Sequence, residues 1–298
     1  MRPQSLFTTL TLTTLCTLYA GSASAYGMMG NKKGGGGKKQ QQAEQQEMQG
    51  QGTPEMRAKA KAFIPPKATR EMMKRFGFIA TGLSPVYPET FSCPQMGSGF
   101  ATPYRTDGSS RSRRFFQGLH GGFDIPQAKG VPLIAMADGE LILRHEGQAD
   151  GIGGKGIWMR HSPEQTGLDK WLFIEYKHLD KLPDLEEGAM IRMGQPVGET
   201  GNSGTTGGHY GAAGFYHLHM TAFWSDSPEF SFKRVLIPKE GEWLDPLALF
   251  RGGSLDSNQL KALPSDQKAV PIHFISSDGS FHPAGTRIIW PYACSPKS

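Results

Sequence analysis

The sequence has few cysteines and no long apolar run beyond its first 25 residues, and both scarcities narrow the classes of protein it can be. Three cysteines occur in 298 residues, and none has the Cys-x-x-Cys spacing of a zinc knuckle or a redox motif. Beyond the first 25 residues no apolar run approaches the roughly 20 residues that cross a bilayer, which excludes a polytopic membrane protein. The net charge of +5 is spread along the chain, without the dense basic stripe of a nucleic-acid-binding protein.

Glycine and proline, in contrast, are plentiful. The chain has 39 Gly and 21 Pro, both above the average usage of about 7% and 5%. Such a composition favours turns and short strands over long helices. It therefore argues against a helical bundle or a coiled coil.

The first 25 residues have the pattern of a secretory signal. Arg2 provides the positive charge, Leu6–Ala20 forms a short apolar stretch, and Ala23–Ala25 is a small-residue cleavage site. Residues 26–53 follow as a Gly-, Gln- and Lys-rich segment with too little apolar surface to offset chain entropy. The sequence thus predicts an exported protein, either periplasmic or extracellular and cell-wall associated, with a disordered tether and no stable membrane insertion after cleavage.

Two cysteines remain after signal cleavage, Cys93 and Cys294. In an oxidising compartment a single disulfide between them would tie the start of the folded region to its last residues. If the disulfide forms, residues 54–95 and 252–298 would pack together as a clasp. Two unpaired thiols are the alternative.

The middle of the chain reads as short strands punctuated by turns. Residues 131–137 and 140–146 flank Asp138-Gly139, the two-residue signal of a hairpin. Three further strands are predicted at residues 155–161, 171–178 and 217–224, and a closing helical turn is predicted at 242–250. No helix of 10–12 residues separates successive strands, so the prediction is a mostly β fold with an antiparallel sheet, Gly-rich loops and few short helices.

Three glycines match the spacing of a dinucleotide-binding loop. Gly151, Gly153 and Gly156 spell G-x-G-x-x-G, but that site needs a helix directly after the glycines to hold a pyrophosphate. The next segment is an apolar, β-type run. A hairpin loop is the better interpretation.

Two polar residues stand four positions apart just before the predicted hairpin. His120 and Asp124 occur in the segment His-Gly-Gly-Phe-Asp, and positions i and i+4 of an extended chain face one way. Gly122 lies between them on that face and would leave room for an ion. The spacing predicts that both side chains contribute to one site.

Three histidines on predicted strands extend this pattern. His217 and His219 share one strand face, and His178 ends its own strand with Tyr176 on its face. Imidazole and carboxylate groups gathered on an open sheet suit a catalytic zinc with three protein ligands and one water. Spacing alone leaves open which histidines are ligands.

Signatures of other hydrolases are absent from the sequence. It contains neither the HExxH motif of helix-based zinc proteases nor the GxSxG elbow of serine hydrolases. Neither Cys93 nor Cys294 has a histidine-rich neighbourhood. Serine and cysteine hydrolases are therefore disfavoured.

The same motifs resemble those of the lysostaphin/LytM-type zinc peptidases over roughly residues 100–250. The resemblance rests on an HxxxD motif, a Tyr-x-His-Leu segment, an HxH motif, a GQxxG-type stretch and a final Asp-Pro-Leu. They occur here at 120–124, 176–179, 217–219, 194–201 and 245–247.

The resemblance implies roles that spacing could not assign. It makes His120, Asp124 and His219 the ligands of one Zn²⁺ per chain, and His178 and His217 catalytic groups that are not ligands. One imidazole would accept the proton of the attacking water, and the other would stabilise the oxyanion. The implied fold is a β-sheet domain with the zinc in an open groove, and the implied substrate is peptidoglycan.

Two departures from the family pattern bear on specificity. The connection from Gly201 to His217 is several residues longer than usual, and Met220 stands where the family usually has Phe. His209 lies in that loop, either solvated or near the metal.

The sequence leaves two alternative functions open. One is a non-catalytic wall-binding or amidase-activating module, and the other is a zinc peptidase that acts on proteins.

The predicted domain organisation has five parts: a signal peptide (1–25), a tether (26–53), an N-terminal accessory segment (54–95), a zinc peptidase domain (96–251) and a C-terminal extension (252–298). Within it, the basic segment Arg105–Arg114 either contacts an anionic substrate group at the groove rim or is a solvated loop. Histidines without a partner at ligand spacing are expected to be structural: His145, His161, His273 and His282.

Overall fold

A computed structural model describes residues 54–64, 68–146, 153–205, 214–232 and 235–297. The predicted signal peptide and tether, together with Gly151 and His209, lie outside these residues. Within the described ranges no helix is both long and apolar enough to span a bilayer.

Strands dominate the described residues, and the helices are short. The α-helices are α1 (Pro54–Phe63), α2 (Arg70–Arg75), α3 (Pro163–Thr166), α4 (Ala248–Arg251) and α5 (Ser257–Ala262). Single 3₁₀ turns occupy Phe116–Gly118 and Ser265–Gln267. The strands are β1 (Ser84–Val86), β2 (Phe91–Ser92), β3 (Phe123–Pro126), β4 (Pro132–Ile134), β5 (Gly139–His145), β6 (Gly156–His161), β7 (Trp171–Lys177), β8 (Met190–Ile191), β9 (Pro196–Glu199), β10 (His217–Ser225), β11 (Phe230–Phe232), β12 (Leu236–Pro238), β13 (Gly241–Leu244), β14 (Ala269–Pro271), β15 (Phe274–Ile275), β16 (Phe281–His282) and β17 (Ser295–Pro296).

A seven-stranded antiparallel sheet forms the centre of the fold. Its order is β13-β10-β7-β6-β5-β8, and β3 also pairs with β10. One edge of β10 pairs with β7, while its other edge is shared by β3 in the first half and β13 in the second. The prediction of a mostly β, antiparallel fold is confirmed, and β6, β7 and β10 lie where strands were expected.

Two predictions about local structure are wrong. Residues 131–146 form no hairpin, because β4 pairs with β9 while β5 pairs with β6 and β8. The turn residue Asp138 instead accepts a hydrogen bond from Met193 N at 2.7 Å. The segment 242–250, expected to be one helical turn, is divided between the end of β13 and helix α4. In both segments pairing with distant strands overrides the local signal.

Alternation along β10 separates two hydrophobic clusters on opposite faces of the sheet. Leu218, Met220 and Ala222 belong to the larger cluster, whereas Phe223 packs in a second cluster with Phe173. The face that carries Phe223 also carries His217, His219 and Thr221, because residues two apart point the same way. His217 and His219 therefore lie on the same sheet face as the second cluster, nearer the start of β10.

The N- and C-terminal segments of the described region pair with each other. Strand β1 runs parallel to β14, and β2 runs antiparallel to β17. The disulfide between Cys93 and Cys294 lies beside them, and Trp290 Nε1 donates a hydrogen bond to Pro94 O. The disulfide and the clasp expected from the cysteine count are therefore present in the structure.

A buried carboxylate joins the end of β13 to the N-terminal segment. Asp245 accepts hydrogen bonds from the Thr81 hydroxyl and from Leu247 N. Burial nevertheless raises the pKa of Asp245 from 3.8 to about 6. At pH 7 the folded protein thus holds an ionised carboxylate away from water.

This raised pKa predicts a pH-dependent stability. Between pH 3.8 and about 6 the folded protein binds a proton that the unfolded chain has lost, so the contribution of Asp245 is full at low pH and is lost as pH rises through 6. From pH 5 to 7.5 the free energy of unfolding should fall by about 1 kcal/mol relative to that of Asp245→Asn. Urea unfolding of both proteins across this range measures the difference, and parallel pH curves would contradict the assignment.

Candidate metal centre

The pairing of β3 with β10 places the predicted metal ligands side by side. Asp124 lies directly opposite His219 in the strand register. His120 Nε2 lies 3.0 Å from Asp124 Oδ1 and 2.9 Å from His219 Nδ1. His219 Nδ1 is 2.9 Å from the same carboxylate oxygen. These three residues form the one group of potential metal ligands in the described part of the chain.

The atoms that converge fit a zinc ion. Two imidazole nitrogens and a carboxylate oxygen are ligands typical of catalytic zinc. His120 Nδ1 lies 3.0 Å from Gly99 O, which can only accept, so this nitrogen is the donor and Nε2 carries the free lone pair. Burial lowers the pKa of His120 to about 4 and keeps the ring neutral. The carboxylate and His120 therefore present lone pairs to the same point.

The approach of His120 to Asp124 differs from the predicted extended geometry. Strand β3 begins only at Phe123, and His120 precedes it, separated from the strand by a bend at Gly121 and Gly122. A side chain on Gly122 would meet Met220 O at 1.9 Å. Gly122 thus lets the bend pack against the backbone of β10, and the expectation that it leaves room for an ion is wrong.

His178 and His217 lie beside this group. Their ring centroids are 4.8 Å apart, and His217 Nε2 is 3.6 Å from Asp124 Oδ1. His217 Nδ1 donates to Phe215 O at 2.9 Å, and His178 Nδ1 donates to Ser203 O at 2.7 Å. Both rings therefore keep Nε2 as an acceptor.

Burial sets the charges of these groups. It lowers the pKa of His178 well below 6.5, with a further decrease from the neighbouring His217, and it lowers the pKa of His217. Burial alone would raise the pKa of Asp124, but His120 and His217 hold it well below 3.8. At neutral pH the site thus combines an ionised carboxylate with two neutral imidazoles that can accept protons.

The position of His178 was not predictable from strand alternation. It lies one residue beyond β7 and has a φ of 67°, a left-handed conformation that is costly for a residue other than glycine. Tyr176, expected on the same face, is fully buried in the larger cluster, where its hydroxyl oxygen accepts a hydrogen bond from Met136 N at 2.8 Å. The backbone reversal brings the His178 ring to His217 instead.

Arg111 is a site residue that the sequence interpretation did not single out. Its Nη2 donates to Asp124 Oδ2 at 2.9 Å and to Ser98 Oγ at 2.8 Å. The structure therefore divides the segment 105–114. Arg111 contacts Asp124 within the site, whereas Arg113 and Arg114 are exposed to solvent. Nothing in its spacing distinguishes Arg111 from its neighbours.

The remaining histidines are engaged outside the three-residue group. His145 Nε2 contacts Glu175 Oε1 at 3.1 Å, and His161 Nδ1 donates to Asp138 O. His273 contacts the Thr286 hydroxyl, and His282 stacks on Phe274.

Residues 118–228 match the model of Peptidase family M23, a range that contains all five predicted site residues. No curated protein matches the chain. The match to the family model confirms the resemblance that the motifs indicated.

The solved structures that match this chain include the following three. The catalytic domain of the antimicrobial peptidase lysostaphin from Staphylococcus simulans is 21% identical, with 53% of this chain and 92% of that chain covered and a TM-score of 0.36. A catalytic-domain mutant of the prophage-encoded M23 protein EnpA from Enterococcus faecalis is 18% identical, with 49% and 90% covered and a TM-score of 0.31. A zinc-containing peptidase from Vibrio cholerae is 22% identical, with 46% and 34% covered and a TM-score of 0.32.

The ion pair of Arg111 predicts a measurable loss of stability. Arg111→Ala leaves the buried Asp124 carboxylate without its cationic partner, so the free energy of unfolding should fall by about 3 kcal/mol. The control is Arg113→Ala, which removes an exposed arginine of the same segment and should change it by less than about 0.5 kcal/mol. Urea denaturation of the zinc-free proteins tests this, and equal effects of the two substitutions would refute it.

Proposed function

We propose that this protein is an exported zinc endopeptidase that cleaves the peptide stems or cross-links of bacterial peptidoglycan. The match of residues 118–228 to the model of Peptidase family M23 supports the proposal. The observation that carries the proposal is the convergence of His120 Nε2, Asp124 Oδ1 and His219 Nδ1 within hydrogen-bonding distance of one another. Export rests on the signal-like pattern of residues 1–25.

His120, Asp124 and His219 would hold one zinc ion. When bound, zinc supplies a Lewis acid that polarises a scissile carbonyl and lowers the pKa of water to about 7. Arg111 holds the second oxygen of the Asp124 carboxylate, so only Oδ1 faces the two ligand nitrogens. Oδ1 is therefore the carboxylate oxygen that would hold the ion.

His178 and His217 would carry the proton transfers. Each is neutral and each has its Nδ1–H engaged by a backbone carbonyl, so a proton can be taken up only on Nε2. One ring accepts the proton of the attacking water on this atom and delivers it to the leaving amine. The second ring would stabilise the oxyanion in its protonated form, in which Nε2 has taken up a proton from solvent and donates it.

Histidine substitutions should separate the ligands from the catalytic groups. The purified protein should contain about one zinc per chain, and His120→Ala should lose both the zinc and the release of soluble muropeptides from sacculi. His217→Ala should keep the zinc but lower the rate at least about 100-fold, since it removes only a proton carrier. Elemental analysis and a muropeptide assay measure the two properties.

A matched histidine serves as the control for these variants. His282 stacks on Phe274, outside the candidate site, so His282→Ala should change neither the zinc content nor the rate. Equal loss of zinc in His120→Ala and His217→Ala would contradict the division of roles.

The substrate class needs a direct comparison. Purified sacculi of known chemistry and casein are incubated with the protein, with and without a chelator, and the fragments are identified by mass spectrometry. Chelator-sensitive cleavage of peptide bonds in sacculi, with casein intact, is the expected result. Cleavage of casein alone would indicate a peptidase that acts on proteins, and no cleavage of either would indicate a non-catalytic wall-binding module.

A further inference from the structure

A buried carboxylate lies next to the candidate metal centre, on the strand beside the HxH motif. Glu175 of β7 is opposite Thr221 of β10 in the register and is 6% exposed. Thr221 is 5% exposed and lies two residues after His219 on the same strand face. Such a charge on a central strand requires partners, because a buried ionised group is costly when it is unpaired.

The partners of Glu175 divide between its two oxygens. Oε1 accepts from His145 Nε2 at 3.1 Å and lies 3.8 Å from Lys177 Nζ. Oε2 accepts from the Thr221 hydroxyl at 2.9 Å. Burial alone would raise the pKa of Glu175, but Lys177 and the hydrogen bond from His145 lower it, so the group is an ionised carboxylate.

The direction of each hydrogen bond follows from the number of protons. An ionised carboxylate only accepts, so the single hydroxyl proton of Thr221 is committed to Glu175. Thr221 Oγ1 also lies 3.2 Å from His219 Nε2 and has only lone pairs left for this contact. His219 Nε2 must then carry the ring proton, and Nδ1, the atom that faces His120 and Asp124, is left with its lone pair.

We propose that Thr221 and Glu175 are positioning residues that hold His219 in the tautomer protonated on Nε2, so that Nδ1 is ready to bind zinc. The proposal rests on the ligand role of His219 in the proposed function. The Thr221 hydroxyl group on β10 thus links Glu175 on β7 to the proposed metal ligand His219. Second-sphere partners of this kind typically change metal affinity 10- to 100-fold.

Substitution of Thr221 tests the relay with little change in shape. Thr221→Val keeps the branched side chain but removes the hydroxyl group, and the dissociation constant for zinc should increase 10- to 100-fold. Thr221→Ser retains the hydroxyl group and should stay within about threefold of the wild type. Competition with a chromogenic chelator measures the affinity, and melting of the zinc-free proteins checks that each variant folds.

The tautomer itself can be observed without metal. In the zinc-free wild type, ¹⁵N-detected spectra of the imidazole should show the His219 ring proton on Nε2, and in Thr221→Val this proton should move to Nδ1, toward Asp124 Oδ1. Glu175→Gln, whose amide can turn and donate to Thr221, should shift the tautomer in the same direction. Thr166→Val is the matched control, since this buried threonine bonds to Ser162 O away from the site.

The outcomes separate the relay from the proposed function. Zinc affinity unchanged in Thr221→Val, or reduced as much in Thr221→Ser, would overturn the relay, because packing rather than the hydroxyl group would then matter. A tautomer on Nδ1 in the zinc-free wild type would also overturn it. If the wild type binds zinc and shows the expected tautomer but cleaves no sacculi, the proposed function fails while the relay stands.

Discussion

The pairing of β3 with the first half of β10 is the constraint on which the rest of the site depends. It sets Asp124 opposite His219 and brings the bend at Gly122, two residues after His120, against the backbone of Met220. Because strand side chains alternate between faces, a slip of one residue would turn Asp124 toward the hydrophobic core. The close packing at Gly122 and the competition of β13 for the same edge of β10 leave little freedom for such a slip.

Hydrogen bonds to backbone carbonyls around the site fix the orientation of three of its histidine rings. His120, His178 and His217 each use Nδ1 to donate to a backbone carbonyl, from Gly99, Ser203 and Phe215 respectively. Their Nε2 lone pairs are consequently available at the centre. Burial reinforces this state, since it disfavours the charged imidazolium, while Arg111 compensates the charge of the one carboxylate.

Strands and motif residues were largely predictable, whereas pairing was not. Residues 155–161, 171–178 and 217–224 are rich in apolar and aromatic residues, and all three contain strands. Asp138-Gly139 has the strongest local hairpin signal, yet β4 and β5 pair with other strands. A two-residue turn stabilises a hairpin by little compared with the burial of β4 and β5 in a large sheet, so long-range packing prevails.

The amino-acid pattern alone indicated which residue types stand at metal-binding spacing, that Cys93 and Cys294 would pair, and that the fold is built from short antiparallel strands. Only the tertiary structure decided how His178 reaches His217, that Arg111 rather than a neighbouring arginine contacts Asp124, and that Glu175 and Thr221 adjoin His219. The physical reason is distance along the chain. Side-chain hydrogen bonds are short and directional, and partners that lie 13 to 46 positions apart meet only after the strands have paired.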